Sequence, residues 1–378
     1  MTAEAVGWRG ARPGRLLLTV ATGGLLWLTP APAGVEPHGW HLLAIFVATI
    51  VAIVARVLPM GAVAIVSLAV IVLTGTLPLD EALTGFTNTT VWLIVAAFLL
   101  ASTFIQTGLG RRIAFAFMSL FGRRTIGLAY SLAGTDFVLA PVIPSHTART
   151  GGVVFPVLQS LARTAFGPSG TPEADRTAGF LAMSACQTSS VIAAMFLTAM
   201  VANPLAVGFA AEHGIQISWG LWALAASVPG VVSVALIPLI TRLFYPPGVH
   251  HTPAARELAQ AELTKMGPMV RDERILLVVF AGLLLLWSFG ERLGVETTSA
   301  AFGALGLLLL LGTLRWDDVV AEHEAWNALV WFAVLVMMAE QLGTLGITGW
   351  FAGVVTSGIG DIDWRVGLLV VSLAYFYS

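Results

Sequence analysis

Charge and cysteine are both scarce in this sequence, and each shortage excludes a class of protein. Only 11% of the 378 residues are Asp, Glu, Lys or Arg, whereas a soluble domain carries about 25%. The single cysteine, Cys186, excludes a disulfide framework and a thiolate metal site. Neither a glycine-rich phosphate loop nor a nucleophile elbow is found in the sequence. We therefore expect no enzyme activity, no metal centre, no organic cofactor and no nucleic-acid partner.

Hydrophobic residues make up 57% of the chain, and its mean hydropathy is +0.87. Such a composition predicts an all-α polytopic membrane protein. The first apolar stretch, Leu16–Leu28, follows several arginines as a secretory signal would, but further spans follow at once, so we predict an uncleaved first helix. The other apolar stretches that we predict to be complete or partial spans are Leu42–Val57, Ala62–Leu77, Thr90–Gly110, Gly214–Thr241, Ile275–Trp287, Ala300–Leu314, Ala325–Leu345 and Leu368–Tyr377.

Arginines and lysines are concentrated between these spans. The apolar part of Arg111–Arg124 is too short to cross a membrane, which predicts an amphipathic helix on the membrane surface. Tyr245–Arg274 is the one substantial hydrophilic loop, and we interpret it as a linker between two halves of the protein. The positive-inside rule places both segments on the cytoplasmic side.

A run of helix breakers and hydroxyl groups, Leu139–Gly152, interrupts an otherwise apolar region. Asp136 and Arg149 are the only charged residues between Arg124 and Arg163. Two apolar arms that meet at a polar, proline-containing tip predict a re-entrant hairpin around residues 125–165 rather than two full crossings. Irregular backbone at membrane depth is tolerated only where protein buries it or where it lines a wet cavity. We therefore expect the substrate to bind at this tip.

The next uncharged stretch, Thr177–Ala211, is too long for one straight membrane helix. Its interior is polar, which predicts a helix that is unwound in the middle and faces the hairpin tip. The polar residues of this run are Ser184, Gln187, Thr188, Ser189 and Ser190.

An internal repeat relates two distant segments of the chain. The block from Val91 to Gly110 recurs from Ala325 to Gly346, each copy being a tryptophan-led span closed by a glycine-containing turn. With the predicted topology the two copies run in opposite directions, and such inverted repeats are typical of secondary transporters that bind substrate at mid-membrane. We predict N-terminal scaffold and dimerisation helices in residues 1–85, a first half in 86–244, a linker in 245–274 and an incomplete second half in 275–378.

Matching Leu109 with Leu345 places the counterpart of Ser145 beyond the last residue, Ser378. We therefore expect that the sequence is a fragment without the second polar tip, and that it shows the fold without being competent for transport.

Three segments resemble the divalent anion:sodium symporter family, and within it the 2-oxoglutarate/malate and citrate/tartrate translocators. They are residues 140–156, residues 194–204, and Trp316-Asp317-Asp318 before Trp326. The resemblance implies an inverted-repeat, elevator-type carrier with re-entrant hairpins, which is usually a homodimer. It also implies a Ser-Asn-Thr motif at each of two hairpin tips, which binds the substrate carboxylate and, in the symporters, sodium.

Ser145 and Thr147 match the first motif of that family, but His146 stands where the family has asparagine. Histidine cannot supply the carbonyl oxygen that suits Na⁺, although a neutral imidazole can donate the same hydrogen bond to an anion. Cation symport, proton coupling and anion exchange therefore all stay open. The candidate cation ligands are Ser145, Thr147 and Asn88, although Asn88 is first of all a helix start.

A dicarboxylate sheds water when it enters the membrane, so hydrogen-bond donors of the protein must replace that water. The candidate substrate-binding residues are Ser145, His146, Thr147, Arg149, Thr150, Gly151, Thr188, Ser189 and Ser190. Arg149 has an alternative role, a salt bridge to Asp136 that locks the hairpin, and the hydroxyls of the last three residues have the alternative of pairing helices. Asp136 and Pro144 are assigned to structure or coupling.

The predicted function is secondary transport of small dicarboxylates or tricarboxylates, of the malate, 2-oxoglutarate and citrate class. The predicted protein is a multi-pass homodimer surrounded by lipid in the bacterial inner membrane. Transport of another divalent anion, such as sulfate, is an alternative. A more distant alternative is an intramembrane hydrolase with Ser145 as nucleophile and His146 as base, but adjacent residues in a broken tip hardly reach that geometry.

Overall fold

The computed structural model describes residues 10–164, 166, 171–212, 214–357, 365–369 and 372. Within these residues the protein folds into eighteen α-helices, and the β-structure is a single isolated bridge between Arg124 and His251. Six of the helices are long and apolar enough to span a membrane, as the composition predicts. These are Pro37–Val54, Thr89–Thr107, Pro172–Met195, Trp219–Phe244, Arg271–Gly290 within a longer helix, and His323–Thr344.

The chain forms two compact units. Residues 1–91 and 327–378 make up unit 1, and residues 92–326 make up unit 2. The chain therefore passes between units inside two helices, close to the tryptophans that lead the two copies of the repeat. The predicted division into halves of the repeat is a different kind of boundary and stays a prediction.

Unit 1 contains α1 (Pro13–Leu28), α2 (Pro37–Val54), α3 (Met60–Leu73), α4 (Leu79–Ala82), a 3₁₀ turn (Thr84–Thr87), most of α17 (His323–Thr344) and α18 (Ile347–Ser357). Its core forms where α2 and α3 bury large apolar side chains against α17, among them Leu42, Ile71, Met337 and Met338. Thr49 and Ser67 join α2 to α3 by a buried hydroxyl–hydroxyl bond of 2.7 Å.

Unit 2 contains most of α5 (Thr89–Thr107), α6 (Leu109–Phe121), α7 (Thr125–Leu139), α8 (His146–Arg149), α9 (Phe155–Thr164), α10 (Pro172–Met195), α11 (Ala202–Glu212), α12 (Trp219–Phe244), α13 (Pro253–Met266), α14 (Arg271–Leu293), α15 (Thr297–Leu310) and α16 (Trp316–Ala321). Its centre is α10, which packs against α7 and α12. A row of aromatic rings supports this packing, with neighbouring centroids 5.1 to 5.9 Å apart from Phe137 through Phe196 and Trp219 to Trp287.

The predicted spans that fall on described residues agree with the helices to within about six residues. The hydrophilic linker contains a helix, α13, which packs on the amphipathic helix α6. Arg112 on α6 holds this part of the chain, since its Nε lies 2.9 Å from the Glu273 carboxylate and its Nη1 donates to the carbonyl of Gly267 at 2.8 Å. The predicted last segment, Leu368–Tyr377, lies outside the described residues except for positions 368, 369 and 372.

The predicted unwinding at Ser184–Ser190 is wrong, because α10 continues without interruption to Met195. The break lies later, at residues 196–201, where Phe196 and Met200 are extended on either side of a 3₁₀ turn. Hydroxyl groups do not unwind α10 because they bond back within their own helix. Thr188 donates to the carbonyl of Ser184, and Ser190 donates to that of Cys186.

Two loops of the structure extend the internal repeat beyond the segments recognised in the sequence. Gly75 follows α3 with φ +68°, and Gly312 follows α15 with φ +73°. The next residue, Thr76 or Thr313, donates its amide to the carbonyl five positions earlier, at 3.0 Å in both loops. Each loop then leads into a short helix with two acidic residues in its first turn, α4 or α16. The same order of elements therefore occurs twice.

Two further glycines of the predicted repeat share a backbone conformation. Gly108 has φ +78° and precedes α6, and Gly346 has φ +79° and precedes α18. An alignment of the two segments on these glycines matches Leu109 with Ile347, whereas the sequence pattern matches it with Leu345.

Gly85 provides a test of the packing inside unit 1. A Cβ atom at this position would lie 1.9 Å from the carbonyl oxygen of Ala333, so Gly85→Ala forces the backbone apart. We expect the substitution to lower the free energy of unfolding by about 1–3 kcal/mol, measured as a lower melting temperature of the detergent-purified protein.

Gly24→Ala is the matched control, because a Cβ at Gly24 in α1 would meet no atom within 4 Å. Alanine raises helix propensity, so the control should leave the melting temperature unchanged or raise it. Equal melting temperatures for the two variants would contradict the close packing at Gly85.

Candidate functional site

The candidate site is a hairpin whose two arms are helical and whose tip is not. The first arm is α7, and the second is a continuous helical run from His146 to Thr164 that contains a π-helical turn, Thr150–Val154. Residues 140–145, called the tip below, connect the arms. Pro141 and Pro144 lack the amide hydrogen that a helix interior needs, which explains the non-helical backbone predicted for this segment.

Arg149 is completely buried and joins three segments of the chain. Its Nε lies 2.7 Å from Oδ1 of Asp136 on α7, which is 2% exposed. Its Nη1 donates to the carbonyl of Ile143 in the tip at 2.6 Å and to that of Ala199, in the break after α10, at 2.9 Å. The salt bridge that the sequence left open as an alternative role for Arg149 is therefore present. Arg149 and Asp136 bring no net charge to the site.

Both members of this pair keep a polar atom for a further hydrogen bond. Nη2 of Arg149 and Oδ2 of Asp136 are buried and have no partner among the described residues. A buried donor or acceptor without a partner costs about 1–3 kcal/mol. The hairpin thus holds one cationic donor and one anionic acceptor that are not fully satisfied.

Two side chains that follow α10, those of Thr198 and Trp219, hold the tip in place by hydrogen bonds. Thr198 donates its hydroxyl to the carbonyl of Pro141, and the indole Nε1 of Trp219 donates to the Thr198 oxygen at 3.1 Å. Neither residue was assigned a role from its sequence, although Thr198 lies within the segment 194–204 that resembles the symporter family. Both lie in apolar surroundings where no periodicity distinguishes a brace from an ordinary core residue.

Asn203 closes the end of α10 and was also missed. Its amide nitrogen donates to the carbonyls of Ala193 at 2.8 Å and Phe196 at 2.9 Å, so it satisfies acceptors that the end of the helix leaves free. An Asn-Pro pair, Asn203 followed by Pro204, was the available signal, since such pairs favour the start of a turn.

The predicted polar run on α10 contributes one residue to the hairpin. Ser189 is 2% exposed, and its Oγ accepts a hydrogen bond of 3.2 Å from the hydroxyl of Thr150 in the π-helical turn. Successive residues of a helix lie about 100° apart around its axis, so three in a row cannot face one neighbour. Thr188 and Ser190 bond to their own helix instead.

The outer surface of the hairpin is formed by small and polar residues. His146 is exposed, and Ser145, which is partly exposed, accepts the Arg149 amide with its backbone carbonyl at 3.0 Å. Gly151 is exposed too, and a Cβ there would meet nothing within 4 Å. Pro144 is buried. Thr147 lies in α8, but its side chain is outside the described part of the structure.

Asn88, the remaining candidate, lies in unit 1 and begins α5, as predicted. Its side-chain oxygen accepts the amides of Thr90 at 2.8 Å and Val91 at 3.3 Å, and its amide nitrogen donates to Glu340 at 2.7 Å. The oxygen that would bind a cation is therefore already engaged in capping the helix.

The hairpin can bind an anion through hydrogen bonds without a net charge. It offers the hydroxyls of Thr150 and Ser189 and the start of a helical run, where amides and the helix dipole favour negative charge. Over the described part of the chain, no three His, Cys, Asp or Glu side chains come together as metal ligands would.

Comparison with known proteins agrees with this chemistry. The family described as the sodium:sulfate symporter transmembrane region matches residues 11–378. YflS of Bacillus subtilis, which is named after malate transport, is 46% identical over 357 residues, 94% of this chain and 74% of that protein. Dicarboxylate transporter 1 of Arabidopsis thaliana chloroplasts is 43% identical, over 99% of this chain and 68% of its own.

The citrate/succinate antiporter of Escherichia coli is 33% identical over 96% of this chain and 78% of its own length. The family match covers nearly the whole sequence, and these relatives are 33 to 46% identical to it. The chain therefore belongs to the sodium:sulfate symporter family of multi-pass membrane transporters.

Proposed function

We propose that the protein carries small dicarboxylates and tricarboxylates, of the malate, 2-oxoglutarate and citrate class, across the bacterial inner membrane by secondary transport. The observation that carries this proposal is the identity of 33 to 46% with relatives named for malate, dicarboxylate, and citrate or succinate transport, over more than nine-tenths of the chain. The hydroxyl groups of Thr150 and Ser189 and the neutral ion pair of Arg149 and Asp136 support it, because carboxylates need donors that replace water.

In this proposal the substrate carboxylate binds at the start of the second arm. Ser189, whose oxygen accepts the Thr150 hydroxyl, supplies a hydroxyl donor, and the backbone amides in the first turn of the second arm supply further donors. Ser145, His146 and Thr147 lie one turn earlier and complete this surface. Thr188 and Ser190 take no part, since their hydroxyls are used within α10.

Arg149 acts in this proposal mainly by positioning the tip. Its guanidinium makes three hydrogen bonds inside the hairpin and at the break after α10, so a carboxylate does not displace it without breaking those bonds. Nη2, which has no protein partner in the described residues, is the atom from which Arg149 reaches a substrate oxygen. Asp136 keeps the buried guanidinium neutralised throughout.

Alternating access follows the elevator mode of an inverted-repeat homodimer in this proposal. The recurrence of a helix, a Gly-Thr-Leu loop, a short acidic helix and a long helix supports a repeat. The family description favours sodium as the coupling ion, and the name of the Escherichia coli relative favours exchange of one anion for another. His146, at the family's asparagine position, favours exchange because it removes a carbonyl ligand for Na⁺.

Sulfate is the second candidate substrate, because the family description names it. An enzymatic role is not part of the proposal. Ser145 and His146 are neighbours in the sequence, where a nucleophile and its base hardly reach the geometry that they need. The backbone carbonyl of Ser145 accepts the amide of Arg149, so Ser145 marks the start of a helix.

Transport by the full-length protein in proteoliposomes tests the proposed function. We expect uptake of labelled malate and 2-oxoglutarate that increases when the vesicles contain unlabelled dicarboxylate. Sodium and proton gradients, imposed separately, then identify any coupling ion. Sulfate uptake without carboxylate uptake would replace the leading substrate class by the alternative, and failure to transport either anion would contradict the proposal.

Ser189→Ala tests the substrate site, with Ser190→Ala as its matched control. A hydrogen bond to a charged group is worth about 1.5–3 kcal/mol, so loss of the Ser189 hydroxyl should raise the KM for malate roughly tenfold to a hundredfold. Ser190→Ala removes a hydroxyl from the exposed face of the same helix and should leave KM unchanged. Equal KM values for the two variants would remove Ser189 from the site.

Removing one member of the buried pair tests its positioning role. Arg149→Met leaves the Asp136 carboxylate buried without its cation, and we expect it to lower the free energy of unfolding by about 3–5 kcal/mol. The double variant Arg149→Met with Asp136→Leu should regain most of the lost melting temperature, because both charges are gone. If the double variant were as unstable as the single one, the pair would not be the interaction that holds the tip.

A further inference from the structure

A short bridge ties two distant segments of unit 2 together at the side predicted to be cytoplasmic. The amide of Thr125, at the start of α7, donates to the carbonyl of His250 at 3.2 Å, and the amide of Thr252 donates to that of Arg123 at 2.9 Å. This antiparallel pairing holds the turn between α6 and α7 against the segment between α12 and α13.

Two cavities lie beside this bridge. One has a volume of about 270 Å³ and is lined by Arg124, Thr125, Ile126, Arg242, Pro247, His250 and His251. The other has a volume of about 520 Å³ and is lined by Arg123, His251, Pro253, Arg256, Glu257 and Gln260. His251 contributes to both, so the two form one basic region, called the basic pocket below.

The cations of the basic pocket are not neutralised by the protein. Among the described residues, the guanidinium groups of Arg123, Arg124, Arg242 and Arg256 form no hydrogen bond and no ion pair, and Nε of Arg256 is buried without a partner. Of the described residues that line the smaller cavity none is a carboxylate, and of those that line the larger one only Glu257 is. Four cations brought this close together favour an anion with several acceptor oxygens.

Exposed apolar side chains are next to two of these cations in the sequence. Leu120 and Phe121 precede Arg123, and Leu243 and Phe244, which are 76% and 80% exposed, follow Arg242. All four are too hydrophobic for a surface that faces water, and they suit contact with lipid acyl chains. A ligand that meets both the cations and these side chains has an anionic head and an apolar tail.

We propose that the basic pocket binds the phosphate group of an anionic phospholipid. The phosphate diester accepts hydrogen bonds from Arg124 and Arg242 and from the imidazoles of His250 and His251, and its acyl chains lie along Leu243 and Phe244. Basic pockets between membrane helices on the cytoplasmic side bind such headgroups by the same chemistry. The bound lipid fastens the segment that leads from α12 into the linker to the membrane surface.

Thermal unfolding of the full-length protein in detergent, titrated with lipid, tests this proposal. We expect phosphatidylglycerol and cardiolipin to raise the melting temperature more than phosphatidylcholine does at equal concentration. The double variant Arg124→Gln with Arg242→Gln should bind the anionic lipids roughly 30-fold more weakly, since it removes two of the cations at the pocket.

Arg292→Gln is the matched control for charge. Arg292 is an exposed arginine near the end of α14, the end opposite to Arg271, and it lines neither cavity. This variant should keep the full stabilisation by anionic lipid. Equal stabilisation by phosphatidylcholine and phosphatidylglycerol, or an unchanged response in the double variant, would overturn the proposal. So would an equal shift with inorganic phosphate alone, which would identify a free anion as the ligand.

Discussion

The hairpin depends on one buried charge. The guanidinium of Arg149 has no contact with solvent, although most of the helices around it are apolar. The charge of Arg149 needs a counter-charge, and its donors need acceptors, within the protein itself. Asp136 supplies the first, and the carbonyls of Ile143 and Ala199 supply acceptors. These partners come from α7, from the tip and from the break after α10, so satisfying one side chain fixes three segments. The non-helical tip is held in place because the carbonyl of Ile143, which no helix uses, is one of the acceptors that this cation requires.

The same pair determines what kind of anion site the hairpin can be. A single buried cation would hold a carboxylate by a strong ion pair and release it slowly, whereas Arg149 is already neutralised by Asp136. In the proposed site, recognition is then left to hydroxyls and backbone amides, and the hydroxyl of Ser189 is held beside Thr150. Such donors replace the water that the substrate loses without adding a full charge. A carrier must both bind and release its substrate, and a site without net charge serves both steps.

Both boundaries between the two units lie within helices of the predicted repeat, α5 and α17. The chain leaves unit 1 within the first turn of α5, and it returns within the first turns of α17. Both helices follow a short acidic helix and end before a glycine with positive φ, Gly108 or Gly346. Positive φ costs most residues energy that glycine does not pay, so the same choice at both positions reflects a shared backbone path. The similarity between the two segments is thus one of backbone conformation, and it supports the predicted repeat.

The long apolar helices and the non-helical tip could be predicted from the sequence, but the position of the break after α10 could not. Span length and apolar composition are physical requirements of a bilayer, and two prolines within four residues disfavour helical backbone, so these features are visible in a single sequence. A serine or threonine carries no such information, because its hydroxyl bonds equally well to the preceding turn of its own helix. Thr188 and Ser190 do this, whereas Ser189, between them, faces Thr150. Only the rotation of α10 against the second arm of the hairpin distinguishes the three, and that rotation is set by packing over the whole helix.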